Sequence, residues 1–552
     1  MKRIVLLYNT VKFIKISQLV WRIVYKFRNV KLPVVAVLQR HTHEKWSGDR
    51  YVQTSTDDGV TYNFLGESRL VRKRWNDDKA SKLWLYNLHY QDQLNSTKSH
   101  GNVGLEAVLI DRWIQYNPPV SGVGWEPYCL SLRIVNWVKW FLANDKLACN
   151  SRREASLVHQ AQALEQLLEY HVLGNHLFAN AKALLFAGAF FDGPFGQVLL
   201  SGGLLLIDQE INEQFLADGG HFEKSPMYHS ILLWDLCDLI ELARVYKLPS
   251  LLQRCDRWKN QIQISISWLE TMTHPDKDLS FFNDATLGVA PTLSEIKKYA
   301  KKLGVFSDAR HRATLRQWKC SYLPNSGYAA VSMDNSKALI NVSGIGPSYQ
   351  PGHSHADTFS FELSLFGQRV FVNSGVSEYK LGPVREFQRK TKAHNTLEVE
   401  GRDSSEVWGS FRVGRRARVS NVEVVQNGSE VTVSAVHDGY RRCFSSNKVK
   451  RSWFFLEKKI HICDEIELTS LDLVSRLYCH PSVKLDRAHH TQVVLVLEND
   501  ERIVISTDNS TKIKVVDSFW YPGFGRSVPN LCIELHGVGS KIFTAIDYSG
   551  QI

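Results

Sequence analysis

Hydrophobic residues recur at helical spacing along the first part of the chain, from about residue 81 to residue 302. Over residues 154–170, apolar side chains three and four positions apart form one stripe, at Leu157, Val158, Ala161, Leu164, Leu167 and Leu168. Such spacing predicts an amphipathic helix. A second long helix is predicted to begin at Pro226, because Ser225 can cap it and proline is already set for the first helical turn. The first half is therefore predicted to be all-α.

Beyond Cys320 the pattern changes to short runs rich in β-branched residues, bounded by Asn, Asp, Gly or Ser. These runs predict strands, at residues 430–436, 458–463, 492–497, 503–506 and 512–516. Many short strands without helices between them predict an antiparallel β-sandwich. We therefore predict three parts, which are a basic amphipathic segment over residues 1–60, a helical domain over 61–315 and an antiparallel β-sandwich domain over 316–552.

Composition and charge limit the classes of binding partner that the chain can be expected to have. The chain has 552 residues, 44% hydrophobic and 22% charged, as expected for a folded protein of more than one domain. Lysine and arginine number 67 against 56 aspartate and glutamate, a formal net charge of +11, which favours nucleic acid, anionic lipid or an acidic polysaccharide as partner. Because no zinc-finger, RRM or basic-zipper motif accompanies the charge, we expect no nucleic-acid partner. Nine scattered cysteines without a CxxC pair predict free thiols, which favour a reducing compartment.

The N-terminal segment mixes lysine and arginine with aliphatic and aromatic residues at roughly helical intervals. Its uninterrupted apolar run, residues 4–7, is too short for a signal-peptide core or a membrane span. Two interpretations stay open. The segment is either an amphipathic helix on an anionic membrane surface or a partner protein, or a first helix packed on the helical domain with a solvated basic face. We expect a cytoplasmic protein, peripheral to the inner membrane, with a periplasmic location as the alternative.

Two polar clusters interrupt the helical half. Gly174 breaks an apolar stretch, so the next helix should begin on Asn175 or His176 and present an amide and an imidazole at its end. Tyr228 lies in the first turn of the helix capped by Ser225, where the helix dipole favours a phenolate and hence proton transfer. Taken alone, each cluster also fits an ordinary helix start with a core histidine or aromatic residue.

The densest polar cluster lies between residues 351 and 396. Its members are His353, His355, Asp357, Asn373, Tyr379, Arg385, Arg389, His394 and Asn395. On a strand, His353 and His355 would point to the same face, and His394 would return to them later in the chain. Imidazoles presented in this way suit a metal ion, zinc above all, or a pocket that neutralises charge.

Together, and in their order along the chain, these clusters resemble the heparinase II/III-like family of polysaccharide lyases. The similarity runs from about Trp84 to Thr396. The matching motifs are Trp84-Leu-Tyr-Asn-Leu-His89-Tyr90, Ser131-Leu-Arg133-Ile-Val-Asn136-Trp137, Gly174-Asn175-His176, Asp218-Gly-Gly-His221-Phe-Glu223, Met227-Tyr228-His229, Phe282-Asn-Asp284, His353-Ser-His355-Ala-Asp357 and Ala393-His394-Asn395. The resemblance implies an incomplete (α/α) toroid followed by an antiparallel β-sandwich. It also implies a uronate-containing acidic polysaccharide or oligosaccharide as substrate.

In such lyases a proton leaves C5 of the uronate and the O4 glycosidic bond then breaks, which requires a neutralised carboxyl group and a group that moves the proton. The resemblance assigns neutralisation to Asn175, His176 and His353. It assigns the proton transfer to Tyr228, with Tyr379 as a weaker candidate for a second transfer. It further implies residues that contact the sugar, namely Tyr86, Trp125, Arg133, Arg389 and Asn395.

The metal site of the family maps to His355, Asn373 and His394. An aspartate is usual at the second of these positions. An amide oxygen is a poorer zinc ligand than a carboxylate because it brings no charge. We therefore expect a structural zinc to bind weakly or not at all, with the three groups bracing the β domain against the helices in either case.

Three functions stay open from the sequence. The first hypothesis is a polysaccharide lyase, and the second is a uronyl C5-epimerase, which begins by removing the same proton. The third is a non-catalytic glycan-binding component of polysaccharide biosynthesis, which the basic N-terminal segment would suit. The full set of Asn175, His176, Tyr228 and His353 favours an enzyme over a binding component.

Overall fold

The computed structural model of the chain describes residues 2–34, 39–98, 103–144, 150–305, 316–444, 448–468 and 470–550. The predicted domain boundary at residue 315 lies outside the described residues. Within them, helices dominate up to Lys302 and strands dominate from Lys319 onward. The chain thus has a helical N-terminal region and a sheet-rich C-terminal region. The specific architectures expected for them, an incomplete toroid and a β-sandwich, stay predictions.

The helices follow the apolar periodicity of the first half. They span Lys2–Val11 (α1), Ile16–Phe27 (α2), Lys82–Tyr90 (α3), Val103–Tyr116 (α4), Pro127–Asn144 (α5), Ser151–Gln166 (α6), Asn175–Phe190 (α7), Gly193–Gln214 (α8), Pro226–Tyr246 (α9), Pro249–Leu252 (α10), Cys255–Met272 (α11), Leu293–Lys302 (α12) and Pro383–Arg389 (α13). Helix α9 begins at Pro226 as predicted, with the Ser225 hydroxyl accepting from the backbone NH of Tyr228 at 3.3 Å. Helix α6 ends at Gln166 rather than at residue 170.

The strands account for most of the second half. They span Gln39–Arg40 (β1), Thr61–Phe64 (β2), Glu67–Leu70 (β3), Phe191–Asp192 (β4), Lys319–Leu323 (β5), Tyr328–Met333 (β6), Ser336–Asn341 (β7), Phe361–Leu365 (β8), Gln368–Phe371 (β9), Leu397–Val399 (β10), Val407–Trp408 (β11), Arg412–Val413 (β12), Val419–Asn427 (β13), Glu430–His437 (β14), Val449–Phe455 (β15), Lys459–Ile466 (β16), Leu471–Tyr478 (β17), Lys484–His489 (β18), Gln492–Val496 (β19), Arg502–Ser506 (β20), Thr511–Trp520 (β21), Val528–Gly539 (β22) and Lys541–Asp547 (β23). All five strands predicted from the sequence are found, with ends shifted by up to four residues.

Three larger sheets organise these strands, and their neighbours pair antiparallel. A five-stranded sheet has the order β5-β6-β7-β8-β9, and an eight-stranded sheet has the order β13-β14-β15-β16-β23-β20-β19-β18. A four-stranded sheet has the order β10-β17-β22-β21. The eight cysteines within the described residues are free thiols, as the sequence predicted.

The five-stranded sheet joins the two regions because its two faces belong to different cores. On β6, Tyr328 and Ala330 pack into the helical core, whereas Ala329 and Val331 pack into the core of the sheets. Successive strand residues point to opposite faces, so this alternation places the sheet between the two cores. The sheet therefore fixes the loops at its ends against the helical region.

The N-terminal helices α1 and α2 lie against both regions at the protein surface. Among the described helices, none is by itself both long and apolar enough to cross a bilayer. The pair Arg3–Val11 and Ile16–Phe27, bent by 102°, passes that test jointly, on length and composition alone.

Candidate active site

A cleft of about 1860 Å³ lies between the helical and the sheet-rich region. Both regions contribute residues to its lining. Six of the residues predicted from the sequence line it, namely Tyr86, Asn175, His176, Tyr228, His353 and Tyr379. The cleft thus brings together side chains that are far apart in the chain.

Two tyrosines and a histidine form the centre of this group. The hydroxyl oxygens of Tyr228 and Tyr379 are 3.1 Å apart, so one of them donates a hydrogen bond to the other. The His353 ring stacks on the Tyr228 ring with centroids 4.0 Å apart and an angle of 15° between the planes. Two phenols and an imidazole are groups that can move a proton.

The protonation state of Tyr228 differs from the expectation. The helix dipole at the start of α9 was expected to favour the phenolate. Instead, burial raises the pKa of Tyr228 well above its ordinary value, and the neighbouring Tyr379 raises it further. Burial also raises the pKa of Tyr379 well above its ordinary value. Desolvation outweighs the dipole here, so both groups are neutral phenols in the free protein.

His353 is held from behind by Glu223. The Nδ1 atom of His353 contacts a carboxylate oxygen of Glu223, which is itself fully buried. Although burial would raise the pKa of Glu223, the adjacent His353 lowers it below its ordinary value. A carboxylate at Nδ1 orients the ring and leaves Nε2 as the second ring nitrogen for a ligand.

Asn175 and His176 begin helix α7, as predicted. Gly174 precedes them with φ +60° and ψ −144°, a conformation that is essentially restricted to glycine. The Asn175 side chain is buried, and its amide oxygen has no hydrogen-bond partner. A buried amide whose oxygen has no partner, at the wall of a cleft, is a candidate ligand-binding group.

The charge on His176 depends on Glu169. The Nδ1 atom of His176 lies 2.9 Å from a carboxylate oxygen of Glu169. Burial by itself lowers the pKa of this imidazole, but the Glu169 carboxylate raises it above the ordinary value. His176 therefore offers a partly cationic ring to the cleft.

Behind the cleft, Asp284 joins several of these elements. Its carboxylate accepts from the Nη2 atom of Arg385 at 2.8 Å and lies 2.8 Å from the Nε2 atom of His355. Its backbone NH donates to the carbonyl oxygen of His353 at 2.9 Å. Arg385 lies over the Tyr379 ring at 4.9 Å. Asp284 thus ties the position of Tyr379 to that of His353.

His353 and His355 do not share a strand face. Residues 351–357 form a loop with turns rather than a strand, so the predicted alternation does not apply. His353 faces the cleft, whereas His355 points into the interior. There its Nδ1 atom lies 3.1 Å from the Nε2 atom of His394.

His355 and His394 turn one ring nitrogen each towards the other. The outer nitrogens of both rings face acceptors, which are Asp284 for His355 and the Lys390 carbonyl oxygen, at 2.8 Å, for His394. In neutral rings the protons therefore lie on the outer nitrogens, and two lone pairs face each other across the gap. Burial lowers the pKa of His355 to about 4, which disfavours an extra proton there. A metal cation would relieve this contact.

Asn373, the third residue of the predicted metal site, presents an amide. Its Oδ1 atom accepts from the backbone NH of Asn395 at 3.2 Å, and its Nδ2 atom is buried without a partner. Within the described residues, no group of three or more His, Cys, Asp or Glu side chains is placed to hold a metal. The residues therefore fit two nitrogen ligands and at most one neutral oxygen ligand.

Four residues expected to contact the sugar are not in the cleft. Trp125 is buried and donates to the Asn117 carbonyl oxygen at 3.3 Å. Arg133 is fully buried, where its guanidinium donates to the side chain of Gln160 and to two backbone carbonyl oxygens. Both positions follow from apolar packing of the surrounding helices, which turns these side chains inward.

Arg389 and Asn395 likewise have structural roles. Arg389 is buried and donates to the carbonyl oxygens of Ser354 and Gly409. Asn395 donates to the Phe361 carbonyl oxygen at 2.8 Å and accepts from the backbone NH of Tyr478 at 2.6 Å. Arg389 thus satisfies carbonyl oxygens outside the strands, and Asn395 satisfies backbone groups at the ends of β8 and β17.

The structure adds residues to which the sequence assigned no role. Glu169, Glu223 and Asp284 each hold one of the histidines described above. Glu223 and Asp284 stand inside the matching motifs, so the sequence contained a signal for them. Glu169 stands outside those motifs, and only the fold shows that it lies beside His176.

Comparisons with known proteins agree with this architecture. The model of the "Heparinase II/III N-terminus" family matches residues 106–312, and the "Heparinase II/III-like, C-terminal" model matches residues 316–549. A "Heparin-sulfate lyase" of Bacteroides stercoris is 22% identical over 354 residues, covering 61% of this chain and 51% of that protein. One of Bacteroides thetaiotaomicron is 24% identical over 394 residues, covering 63% and 53%. This chain thus spans about half the length of these curated relatives.

The fold is shared with a solved structure. The crystal structure of Heparinase III superposes with a TM-score of 0.69 at 16% identity, covering 96% of this chain and 89% of that one.

Proposed function

The chain belongs to the heparinase II/III-like family, and on that premise we propose that it is a polysaccharide lyase acting on a uronate-containing acidic glycan by β-elimination. The main support in the structure is the hydrogen bond of 3.1 Å between Tyr228 and Tyr379, beside the stacked ring of His353. These groups lie in one cleft with Asn175 and His176. The arrangement supplies both needs of the reaction, which are carboxyl neutralisation and proton transfer.

Neutralisation of the uronate carboxyl group falls to Asn175, His176 and His353. An ionised carboxylate makes the neighbouring C5–H bond a weaker acid, because the carbanion formed at C5 would add a second negative charge. An amide and a cationic imidazole beside the carboxylate reduce that penalty. The raised pKa of His176 serves this role, since the ring keeps more of its charge at neutral pH.

Proton transfer falls to the tyrosine pair. The C5–H bond breaks, its electron pair forms the C4–C5 double bond, the C4–O4 bond breaks, and O4 takes up a proton. As a neutral phenol, Tyr228 can give a proton to O4 directly. To accept the C5 proton, Tyr228 must first lose its own proton to solvent. The phenolate, to which the Tyr379 hydroxyl at 3.1 Å can donate a hydrogen bond, then takes the C5 proton and passes it to O4, which regenerates the phenolate.

For the substrate, we propose a glycosaminoglycan as the first class to test. The relatives above are named heparin-sulfate lyases, and the cleft lining holds eleven lysines and arginines against eight aspartates and glutamates. Such cations favour a polyanionic chain.

We further propose that a zinc ion, where it binds, is structural. His355 and His394 would hold it through their facing nitrogens, with Asn373 as a weak third ligand. When bound, the ion supplies positive charge between the two rings. The reaction itself is assigned to residues that line the cleft.

The test is turnover of heparan sulfate, chondroitin and alginate by the wild type and by Tyr228→Phe and Tyr379→Phe, followed through the ultraviolet absorbance of the unsaturated product. Removing the hydroxyl of Tyr228 should lower kcat by roughly 10²–10⁴-fold, the usual share of acid–base catalysis, with substrate binding retained. Tyr322→Phe, at an exposed tyrosine outside the cleft lining, is the matched control.

Each other outcome has its own meaning. Unchanged turnover in both cleft variants would remove the assigned roles. Deuterium incorporation at C5 from heavy water without new absorbance would identify an epimerase. Glycan binding by a wild type that turns over no tested substrate would favour the non-catalytic component.

A further inference from the structure

Helices α1 and α2 attach to the protein through polar and aromatic side chains. The Nε1 atom of Trp408 donates to the Thr10 hydroxyl at 3.1 Å. On α2, the Trp21 ring stacks on Tyr170 with centroids 4.8 Å apart, and Gln18 is buried beside them. These contacts use one face of each helix.

The opposite faces expose aliphatic side chains. On α2, the most exposed apolar residues recur at intervals of four, three and four, at Ile16, Val20, Ile23 and Phe27, whose exposed fractions lie between 51% and 80%. On α1, Ile4 and Tyr8 are 73% and 67% exposed. Surface helices of globular proteins normally bury their aliphatic stripe, so this reversed arrangement indicates a surface that meets another partner.

The charged residues of the segment that carries these stripes have one sign. The first acidic residue of the chain is Glu44. Residues 1–43 contain nine lysines and arginines and no aspartate or glutamate. Within the described part of this segment, the cationic residues are exposed, at Arg3, Lys12, Lys15, Arg22, Lys26, Arg28, Lys31 and Arg40.

We propose that the α1–α2 pair docks the protein on an anionic lipid bilayer. Exposed apolar stripes on helices whose own charged residues are all cations match the boundary between acyl chains and anionic headgroups. One of these cations, Lys15, pairs with Glu213 of α8 at 3.0 Å. A second copy of the chain would bring the same cations and so would be repelled. The observations therefore favour lipid over self-association.

Docking occurs in the plane of the interface rather than across the bilayer. Helices of 10 and 12 residues are about 15 and 18 Å long at 1.5 Å per residue, against a hydrocarbon core of about 30 Å. A span would require the 102° bend to straighten and the contacts of Trp21 and Trp408 to break. Lying flat keeps both contacts.

The docking surface adjoins the cleft. Leu7 and Val11 of α1, Gln18 and Arg22 of α2, and Ile14 between the two helices line part of the cleft wall. A docked protein would therefore hold its cleft next to the lipid headgroups. If the proposed lyase function holds, its substrate is a polyanionic glycan presented at the membrane surface. This last step rests on the proposed function, whereas the docking itself does not.

The test is co-sedimentation of the full chain with vesicles of phosphatidylcholine alone or mixed with phosphatidylglycerol. The wild type should bind the mixed vesicles and lose most of this binding in high salt, because the headgroup attraction is screened. Ile23→Glu/Phe27→Glu should weaken binding about tenfold or more, since it places two carboxylates in the apolar stripe. Val198→Glu/Leu205→Glu, on exposed aliphatic residues of α8, is the matched control and should bind like the wild type.

The outcomes separate the occupants. Absence of wild-type binding to phosphatidylglycerol vesicles would overturn the proposal, as would equal weakening in both double variants. Light scattering on the same samples addresses the other occupant. A wild-type dimer that Ile23→Glu/Phe27→Glu dissociates, without vesicle binding, would assign the surface to a second copy. Because no turnover is measured, failure here is distinguishable from failure of the lyase proposal.

Discussion

At the scale of single residues, one carboxylate decides how much charge His176 presents to the cleft. Glu169 contacts Nδ1 of the ring at 2.9 Å and raises its pKa against the effect of burial. A histidine whose pKa is higher in the folded than in the unfolded state stabilises the folded protein. This contribution is fully present below the pKa of the unfolded state, about 6.5, and is lost as the pH rises through the pKa of the folded state. Glu169 therefore extends the pH range in which the ring is cationic.

Glu169→Gln should move the alkaline limb of the pH profile of kcat/KM to lower pH. Without the carboxylate, burial acts alone and lowers the pKa of His176. The stability difference from the wild type should be largest in acid and should shrink as pH rises. Glu165→Gln, at an exposed glutamate four residues earlier, is the control for a lost charge. An unshifted limb in Glu169→Gln would show that His176 charge does not limit the reaction.

Asn373 offers a second test at this scale, because it stands where a carboxylate would complete the metal ligands. Asn373→Asp should bind zinc more tightly than the wild type, measured by metal content after dialysis. Without zinc the variant should be less stable by about 1–3 kcal/mol, since it buries an unpaired carboxylate, and zinc should reverse the sign of that difference.

Asn341→Asp, at another buried asparagine of the sheets, should be destabilised without rescue by zinc. Equal behaviour of the two variants towards zinc would contradict a metal site at His355 and His394.

Residue type was easier to predict than side-chain direction. The sequence identified Asn175, Tyr228 and His353, which the cleft does bring together. It also assigned Arg133 to the sugar cleft, although that guanidinium serves backbone carbonyl oxygens in the interior. The sequence does not distinguish an arginine that lines the cleft from one that points into the interior, because only the packing of its helix decides the direction of the side chain.

At the scale of elements, local signals located starts better than ends. Ser225 and Pro226 specify a helix start by themselves, and α9 begins there. Helix α6 stops at Gln166 although leucines continue the apolar stripe at Leu167 and Leu168. The end of α6 is followed by a turn in which Leu173 and Gly174 both have positive φ. Tertiary contacts impose this turn, and the apolar periodicity does not show it.

Gly174 is the position at which this turn can be tested. An added Cβ would lie 2.2 Å from the Oε1 atom of Gln350, and the backbone conformation itself excludes other residues. Gly174→Ala should destabilise the protein by about 1–3 kcal/mol and lower kcat, because Asn175 and His176 begin the helix directly after it. Chemical denaturation and turnover measure the two effects.

Gly202→Ala is the matched substitution for this test. Gly202 lies inside α8 with open space around its Cα, so the change should be neutral or stabilising by up to about 1 kcal/mol. A loss of stability in Gly202→Ala as large as in Gly174→Ala would refute the conformational argument.

At the scale of the whole molecule, the cleft exists because two cores share one sheet. The change of pattern beyond Cys320 predicted a strand-rich region, but no local pattern states that one face of β6 meets helices. The contacts that close the cleft connect residues far apart in sequence, such as Asp284 with Arg385, and each partner alone is an ordinary charged residue. This is why the two regions could be predicted and their junction could not.

Asp284 holds that junction, and its removal should uncouple it. The residue binds Arg385 and His355 through its carboxylate, and its carbonyl oxygen accepts from the Ser225 hydroxyl at 2.6 Å, at the start of α9. Asp284→Asn keeps the shape but leaves the fully buried Arg385 without its counter-charge, which should cost about 3–5 kcal/mol in the free energy of unfolding. Denaturant titration measures the loss.

A second substitution, at Arg385, shows whether the loss of stability comes from the unpaired charge or from the lost hydrogen bonds. Adding Arg385→Met to Asp284→Asn removes the unpaired cation and should restore part of the stability, while turnover stays low because Tyr379 loses the guanidinium over its ring. Asp208→Asn is the control at the partly exposed ion pair with Arg254, where the loss should be about 1 kcal/mol or less. If Asp284→Asn costs no more than Asp208→Asn, the junction depends on the shared sheet alone and not on this buried ion pair.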